Sequence, residues 1–548
     1  MSNVASFVTH DVTNQVPPIG HYNSYTSDRA LRDAVHREGG GWAETQLVAF
    51  GTVAGGELMD LGYTANENPP KLRSFDRYGH RLDEIEFHPA YHRVMQLGMQ
   101  HGVHAFAWRH ADTPGAHVAR AAISLLHSQA EAGTGCPLTM THSSIPALRH
   151  APELARDWLP RITSLEYDPR VLPFDQKTAL TIGMGMTEKQ GGSDVRANTT
   201  RAARQSDGSY RIVGHKWFFS APMCDAWLVL AHVDAGLTCF LMPKLRPDGS
   251  RNAIHIQRLK DKLGDKSNAS SEVEFLDAYA VRVGDEGRGV PTILEMVSLT
   301  RLDCMIGSSA LMRQATVQAL HHAQHRNAFG KRLVDQPLMQ NVLADLALES
   351  EAATALTMRV ARAVDASGRD KGEAAFARIA TAIGKYWICK RAPVLVNEAQ
   401  ECLGGLGYVE ESNLPRLYRQ APLNSIWEGS GNIQCLDVLR ALSKEPDTRE
   451  ALFAELLAVR GRDTALDNEV HWLNEALSDR TALEIRSRMV VERTALALQA
   501  AILLRADDED VARSFCRSRI GGEHGLAFGT LSADVPMQAL IERASICT

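Results

Sequence analysis

Apolar positions along the chain change their period twice. From a capping signal in "TSDRALRDAV", which predicts a helix start at about Ser27, to about residue 180, apolar residues recur every three or four positions. "HPAYHRVMQLGMQHGVHAFAW" and "HVARAAISLLHSQAEAG" show the spacing, which places them on one face of a helix. Near residue 181 the pattern shortens. "SYRIVGHKWFFS", "AWLVLAHV", "LTCFLMPKL" and "SEVEFLDAYAV" are brief β-branched or aromatic runs, separated by turn clusters such as "RPDGSRN" and "GDKSNAS". They predict a compact all-β module of about 100 residues. From about residue 287 the helical period returns in "VLADLALESEAATALTMRVARAV", and a further helical segment follows the polar break "SKEPDTRE" at 443–450.

The expected organisation is an N-terminal extension and helical domain (1–180, irregular to about residue 40 with Pro17-Pro18), a β domain (181–286), a helical bundle (287–444) and a C-terminal helical domain (445–548). The fold class is α+β, mostly α. A helical, then β, then helical chain is not an alternating βαβ pattern, so a Rossmann domain is not expected. No GxGxxG follows a strand and no Walker motif is present, so a nucleotide cofactor would bind by another route.

Composition narrows this picture. The 548 residues are enough for three or four domains, and 44% hydrophobic with 23% charged residues is the make-up of a globular protein with a full core. Lys and Arg number 59 against 65 Asp and Glu, so the formal charge of −6 excludes a basic nucleic-acid binder as a whole. Residues 445–548 hold twelve Arg, no Lys and eighteen Asp or Glu, a net of −6, which leaves the first 444 residues neutral. The nine cysteines are scattered without a CxxC pair, which argues against a zinc site or a disulfide framework and fits a reducing compartment. The N-terminus has neither a basic nor an apolar signal region. The longest apolar run, "ALALQAAILL" at 495–504, lies between Arg493 and Arg505 and reads as a core helix rather than a membrane span. A soluble, cytoplasmic protein is expected.

Four stretches carry candidate chemistry. In "GMGMTEKQGGSD" (183–194), Gly191-Gly192 lets backbone approach a ligand, Ser193 and adjacent amides donate to phosphate oxygens, and Thr187 offers a hydroxyl; the alternative is a glycine-rich connector. In "GHKWFFS" (214–220), adjacent Trp217 and Phe218 point to opposite faces of a strand, one of them normally core, and Ser220 shares the face of Phe218. In "TRLDCMIGSSALMRQATVQALHHAQHRNAFGKRL" (300–333), Arg301 and Arg326 lie about seven helical turns apart on a shared face, or else compensate the helix dipole. His321, His322 and His325 have no carboxylate at ligand spacing, so no metal site is expected. In "ECLGGLGYVEESNLPRLYRQAPLNSIWEGSGNIQCLDVLR" (401–440), Glu428 stands between a tryptophan and Gly-Ser-Gly. Ser430 is placed to cap a helix with Ile433, Leu436, Leu439 and Leu442 on one face, and the helix N-terminus suits an anionic group.

These stretches, in this order and at these separations, resemble the acyl-CoA dehydrogenase superfamily of flavoproteins. Its pattern is "TExxxGSD", a "KxWI[TS]"-type strand, "R…FG", "LGGxGY" and "[YW]EGT". "CPLTMT" (136–141), "RLKDKLGDKSNAS", "NSIWEGSGNI" and the extra C-terminal region are similar to its AidB subgroup, associated with the adaptive response to DNA alkylation. The resemblance implies an N-terminal helical domain, a middle β-barrel-like domain, a helical bundle and a C-terminal helical extension, assembled as a homotetramer with FAD. It implies that Met186, Thr187 and Ser193 meet the flavin and pyrophosphate, that Phe218 and Ser220 meet the isoalloxazine edge, and that Ser430 and Asn432 reach the adenosine half. Met184, Gly192, Trp217, Phe219, Ser425, Trp427 and Gly429 join the cofactor-binding set, while Arg326 and Phe329 contact FAD bound mainly by a neighbouring subunit.

Glu428 falls where most of the family keeps its catalytic base, with Arg301 retained beside it. Thr300 occupies the alternative base position of one branch and cannot serve. Trp427 replaces the more usual tyrosine, and Glu401 stands where a cofactor-facing glutamine is common. The AidB likeness implies weak acyl-CoA dehydrogenase activity, a CH–CH oxidoreductase chemistry, and protection of DNA against alkylation through double-stranded DNA binding. Arg440, Arg513, Arg517 and Arg519 are the candidate DNA-binding residues, with Arg513 and Arg517 at i, i+4 on one helix face. The alternative function is a working FAD-dependent α,β-dehydrogenase of short or branched acyl-CoA thioesters with no DNA role.

Overall fold

The structure, a computed structural model, describes residues 9–479, 481–506 and 508–546. The chain begins with α1 (Arg29–Arg37), α2 (Glu44–Ala54) and α3 (Glu57–Glu67), then an antiparallel hairpin of β1 (Lys71–Phe75) and β2 (Arg81–Glu86). After it come α4 (Pro89–Gln100), the single turn α5 (Phe106–Arg109), α6 (Ala116–Ala130), α7 (Gly135–Leu148) and α8 (Pro152–Ile162). The hairpin corrects the expectation that residues from about 27 to 180 are helical. Its strands are short and rich in charge, with few β-branched residues, so they lack the usual strand signature. The turn itself supplies the nucleus: the Asp76 carboxylate accepts the amides of Tyr78 at 2.8 Å and His80 at 2.9 Å.

The middle of the chain forms β3 (Ile182–Gly185), β4 (Arg201–Arg204), β5 (Tyr210–Ser220), β6 (Ala226–Val233), β7 (Gly236–Pro243), β8 (Ile254–Leu259) and β9 (Ser270–Val283). β6, β4, β5, β9 and β7 pair in that order and β7 returns to β6, so the sheet closes on itself; β3 lies parallel to β6 and β8 pairs with β9. Phe219, Trp227, Val229, Phe240 and Phe275 fill the inside. Leu228, Leu230, Cys239 and Leu241 point the other way and are covered by α7, α8 and the start of the next helix. Both faces of β6 are therefore buried, which explains why "AWLVLAHV" is continuously apolar rather than alternating.

α9 (Gly289–His325) then runs through the centre of the helical half. After the short hairpin β10 (Asn327–Ala328) and β11 (Lys331–Arg332) come α10 (Pro337–Ala366), α11 (Lys371–Cys402), α12 (Leu414–Gln420) and α13 (Gly431–Lys444). The C-terminal part is α14 (Pro446–Leu457), α15 (Thr464–Ser478), α16 (Leu483–Arg505), α17 (Glu509–Phe515), which passes into a π-helical turn at Cys516–Ile520, and α18 (Met537–Ala544). Arg313, buried midway along α9, donates to the Ser27 carbonyl at 3.1 Å and the Ala544 carbonyl at 2.6 Å, and pairs with Asp28 at 3.2 Å. Among the described residues, no helix is long and apolar enough to cross a membrane.

Two expectations are corrected in this half. The buried face of α13 is Gln434, Cys435, Val438 and Ala441; Ile433, Leu439 and Leu442 are half-buried and Leu436 is exposed. Ser430 occupies the N-cap position without a capping hydrogen bond from its side chain. Ile433 and Leu436 line a cavity described below, whereas Leu442 packs against the bundle core. A free arginine face at 513–519 is also not formed, because Arg517 and Arg519, in the π turn that follows α17, are taken up by carboxylates. Arg519 is buried against α10, 2.5 Å from Asp345 and 3.0 Å from Glu349. Arg517 pairs with Glu523 at 2.6 Å and Asp534 at 2.5 Å. Only Arg513 of the three is largely exposed, its side chain at 71% and 3.6 Å from Glu509.

Many C-terminal arginines serve this internal role. Arg543 reaches Glu351 at 2.8 Å and Asp33 at 2.7 Å, and Arg505 and Arg359 converge on Glu455. Removing one member of a buried pair strands the other charge, which typically costs about 3–5 kcal/mol. Arg519→Ala is expected to lower the unfolding free energy in urea by about that amount. Arg513→Ala, by contrast, is expected to change it by no more than about 0.5 kcal/mol.

Candidate functional site

The loop after β3 is held by one buried ion pair. Glu188, from "MTEKQGGSD", accepts Lys216 Nζ at 2.8 Å, the Thr199 amide at 2.7 Å and the Thr199 hydroxyl at 3.0 Å, and both charged side chains are fully buried. Burial alone would raise the Glu188 pKa, but Lys216 and the clustered donors more than reverse this and hold it well below the carboxylate range. The loop thus pinned brings Met186, Thr187, Gly192 and Ser193 to a cavity of about 1670 Å³. A Cβ on Gly192 would stand 2.4 Å from Thr187 Oγ1, so only glycine lets Thr187 keep this position.

The opposite lip comes from β5. Its pairing with β9 slips between Lys216 and Phe219, a bulge that changes the alternation of side chains. Phe219 enters the barrel core, while Phe218 (53% exposed) and Ser220 line the cavity. Trp217 does not line it. The bulge sets its ring under the Lys260 ammonium at 3.6 Å, with Lys189 and Arg258 each at 5.7 Å. This revises two expectations together: neither Trp217 nor Phe218 is the core residue of the pair, and Trp217 is not part of the cavity.

Glu428 adopts a left-handed backbone at φ +56°, a conformation that costs a non-glycine residue roughly 1–2 kcal/mol. Three side chains over-determine it through five hydrogen bonds. Lys385, fully buried on α11, donates to the carbonyls on either side, Trp427 at 2.8 Å and Gly429 at 2.6 Å. Gln434 donates to the carbonyls of Glu428 at 3.0 Å and Gly429 at 2.9 Å, and Arg301 Nε donates to that of Glu428 at 3.1 Å. Gly429 has φ +95°, and a Cβ there would lie 2.8 Å from Gln434 Nε2. The backbone is clamped while the carboxyl group points into the cavity and accepts the Thr300 hydroxyl at 2.7 Å. Burial raises the Glu428 pKa; the Thr300 hydroxyl and the charges of Lys385 and Arg301 work against that rise.

Arg301, expected beside the base, addresses the backbone of Glu428 and an ion pair rather than the carboxylate. It meets Asp437 of α13 at 2.6 Å, which Arg378 also approaches at 2.9 Å. It is a positioning residue. Thr300, excluded as a base, is instead the hydrogen-bond donor to one. Lys385, Gln434 and Asp437 were not anticipated. The signal for Lys385 is a lone lysine among the buried positions of "IATAIGKYWICK", where an unpaired ammonium demands acceptors.

Met184, Trp427, Gly429, Ser430 and Arg440 also line the cavity. The Trp427 indole is fixed by Asn424 Oδ1 at 2.9 Å. Ser425 turns its hydroxyl to the Pro422 carbonyl, and Asn432 lies outside near Arg488 at 3.5 Å. Neither joins the cavity wall. Arg326 and Phe329 lie at the far end of α9, where Phe329 (98% exposed, φ +52°) caps the β10–β11 hairpin. Asn14 of the N-terminal segment secures this end by accepting the Asn327 amide at 2.8 Å. His321 there bonds the Pro17 carbonyl at 2.8 Å. Among the described residues, no group of three metal-ligating side chains is assembled.

With this geometry in view, the comparisons with known proteins are consistent along the chain. The model of the adaptive response protein AidB N-terminal domain matches residues 14–169. Models of the acyl-CoA dehydrogenase middle and C-terminal domains match residues 183–278 and 287–443. The sequence is 49% identical over 520 residues to AidB of Escherichia coli (strain K12), spanning 94% of this chain and 96% of that one. The structure is similar to Caenorhabditis elegans ACDH-11 in complex with C11-CoA, with a TM-score of 0.87, 27% identity and 94% of each chain covered. A glutaryl-CoA dehydrogenase from Mycobacterium smegmatis in complex with FADH2 shares the fold, at a TM-score of 0.55 and 20% identity over 65% of this chain and 87% of that one. The chain belongs to the acyl-CoA dehydrogenase family, in its AidB branch.

The clamp around Glu428 has a measurable consequence. Because the left-handed backbone strains any residue with a Cβ, Glu428→Gly is expected to be more stable than Glu428→Ala by about 1 kcal/mol in chemical denaturation.

Proposed function

We propose that this protein is an FAD-dependent oxidoreductase of the AidB type that removes two hydrogens from adjacent carbons of an acyl-CoA thioester, with Glu428 as the base. The observation that carries this reading is a strained, clamped carboxylate sharing one large cavity with an exposed aromatic strand residue, Phe218. The residues present fit the cofactor that members of the family bind. A volume of about 1670 Å³ exceeds that of a site for one small ligand, about 300–1,000 Å³, and accommodates a dinucleotide beside a thioester. The cavity-lining hydroxyls of Thr187, Ser193 and Ser220 make no hydrogen bond to another protein group among the described residues, and the uncapped N-terminus of α13 offers amides to a pyrophosphate. Bound FAD supplies the acceptor for the hydride that leaves the β-carbon.

The chain's own part is the proton. The thioester carbonyl acidifies the α-carbon, and the Glu428 carboxylate removes its proton as the hydride departs. Burial tunes Glu428 upward to match that task, while Thr300 and Lys385 keep the ionised form accessible. Trp427, held by Asn424, forms a fixed wall on the same side, and Arg301 and Gln434 keep the carboxyl aimed. Anaerobic mixing of the yellow protein with a panel of short and branched acyl-CoAs tests the reading. Fast bleaching of the flavin band, lost in Glu428→Gln, is expected; bleaching that survives in Glu428→Gln rules this base out. Replacing Lys385 with Met removes a positive charge, so the Glu428 pKa rises further and the acid limb of the bleaching rate moves to higher pH.

A second reading, DNA binding in an alkylation response, is what the resemblance to the AidB subgroup implies, with the exposed Arg440 and Arg513 as its candidate contacts. Affinity for a duplex should then fall steeply as salt rises, and drop when Arg440 and Arg513 are both changed to Ala. A flat salt response removes the DNA role from this surface.

A further inference from the structure

The first turn of α13 is surrounded by hydrogen-bond donors that lack acceptors. The amides of Gly431, Asn432 and Ile433 make no hydrogen bond among the described residues. Nor does the hydroxyl of Ser430, an exposed residue on the rim of the cavity. A Cβ on Gly431 would stand 2.7 Å from Lys390 Cε and 3.2 Å from its Nζ, so glycine there lets the ammonium from α11 approach the helix end. From α16, the exposed Arg488 brings Nη1 to 3.5 Å from Asn432 Oδ1.

Tyr386 joins the two cations. Lys390 Nζ lies 5.6 Å and Arg488 Cζ 5.9 Å from the centre of its ring. The tyrosine is 4% exposed, and its hydroxyl accepts Arg488 Nε at 3.3 Å. A guanidinium only donates, so the phenol's own proton has no acceptor among the described residues.

The neighbouring arginines are placed differently. Arg391, Arg486 and Arg493 are matched by Glu349, Asp479 and Glu469 at 3.0 Å or less. Lys390 and Arg488 have no carboxylate within ion-pair reach among the described residues, and Glu492 acts on Arg488 only at longer range. Burial, and then the charge of Arg488, hold the Lys390 pKa below the ordinary ammonium range. Two like charges gathered without an acid repel each other, and an anion between them reverses the sign of that interaction.

Every open group at this turn is therefore a donor: the Lys390 and Arg488 cations, the amides of residues 431–433, and the hydroxyls of Ser430 and Tyr386. The ligand they complement has acceptors only and more than one negative charge. A diphosphate meets both conditions; a carboxylate has a single charge, and a ribose or adenine brings donors of its own. Ser430 belongs both to this turn and to the cavity wall, so a ligand that extends from the cavity reaches the cluster.

We propose that Lys390, Arg488 and the Tyr386 hydroxyl hold the pyrophosphate of the dinucleotide at the first turn of α13, so that the C-terminal region, through Arg488, takes part directly in cofactor binding. This inference rests on the FAD reading above. It is tested by equilibrium binding of FAD and of riboflavin, which lacks the pyrophosphate, to the full chain stripped of flavin, followed by flavin fluorescence at several salt concentrations. Arg488→Gln and Lys390→Gln are each expected to weaken FAD about tenfold at low salt and to leave riboflavin unchanged. The difference from wild type should shrink as salt rises, and Arg488→Lys should retain part of the affinity. Unchanged FAD affinity in both glutamine variants overturns the proposal and leaves the FAD reading intact. So does a loss shared equally by riboflavin or insensitive to salt, which assigns these residues to the fold alone. Failure of the wild-type chain to bind FAD overturns both.

Discussion

One buried ammonium organises the candidate site. Lys385 has no carboxylate partner among the described residues; its charge is met by the two carbonyls that flank Glu428. An ammonium in that position can be accommodated only if the backbone between residues 427 and 429 turns those carbonyls towards it, and the left-handed conformation of Glu428 is the outcome. Gln434, Arg301 and, through Arg301, Asp437 then reinforce the same turn from α13 and α9. The carboxyl group is the one part of the residue not engaged by this framework apart from a single hydroxyl. Rigid backbone with an available functional group is the arrangement a proton-transfer residue requires.

The same economy of charge runs through the rest of the molecule. Glu188 and Lys216 hold a loop that presents hydroxyls, and Arg519, Arg543 and Arg359 hold the C-terminal helices against the bundle. In each case a charge that looks free in the sequence is committed internally. The net-acidic C-terminal region is thus not a failed basic surface. Its arginines are matched largely by carboxylates of the bundle and of their own helices, and its surplus acid is left facing solvent.

Much of this was legible from residue order alone. The change from helical to strand period near residue 181, a compact β module and the return to helix follow from apolar spacing, while closure of the sheet was implied only by the family resemblance; the four motif stretches converge on a single cavity. The misses have physical causes. The β1–β2 hairpin is short and charged, so its period-two signal is weak. The bulge in β5 shifts the alternation that placed Trp217 and Phe218, and a bulge leaves no mark in a run of aromatics. Arg519 could not be told from an exposed arginine without knowing that Asp345 and Glu349 of α10 lie opposite.

Arg313 sets a timing constraint on how this chain is made. Its guanidinium joins the carbonyls of Ser27 and Ala544, which lie 286 and 231 residues away along the chain on either side. At a synthesis rate of about 5–20 residues per second, α9 and its seat for Ser27 exist for roughly 10 to 50 seconds before Ala544 has been made. Through that interval a buried cation in the middle of the longest helix has only part of its acceptor set. Closure of this contact consequently waits until α18 has been made.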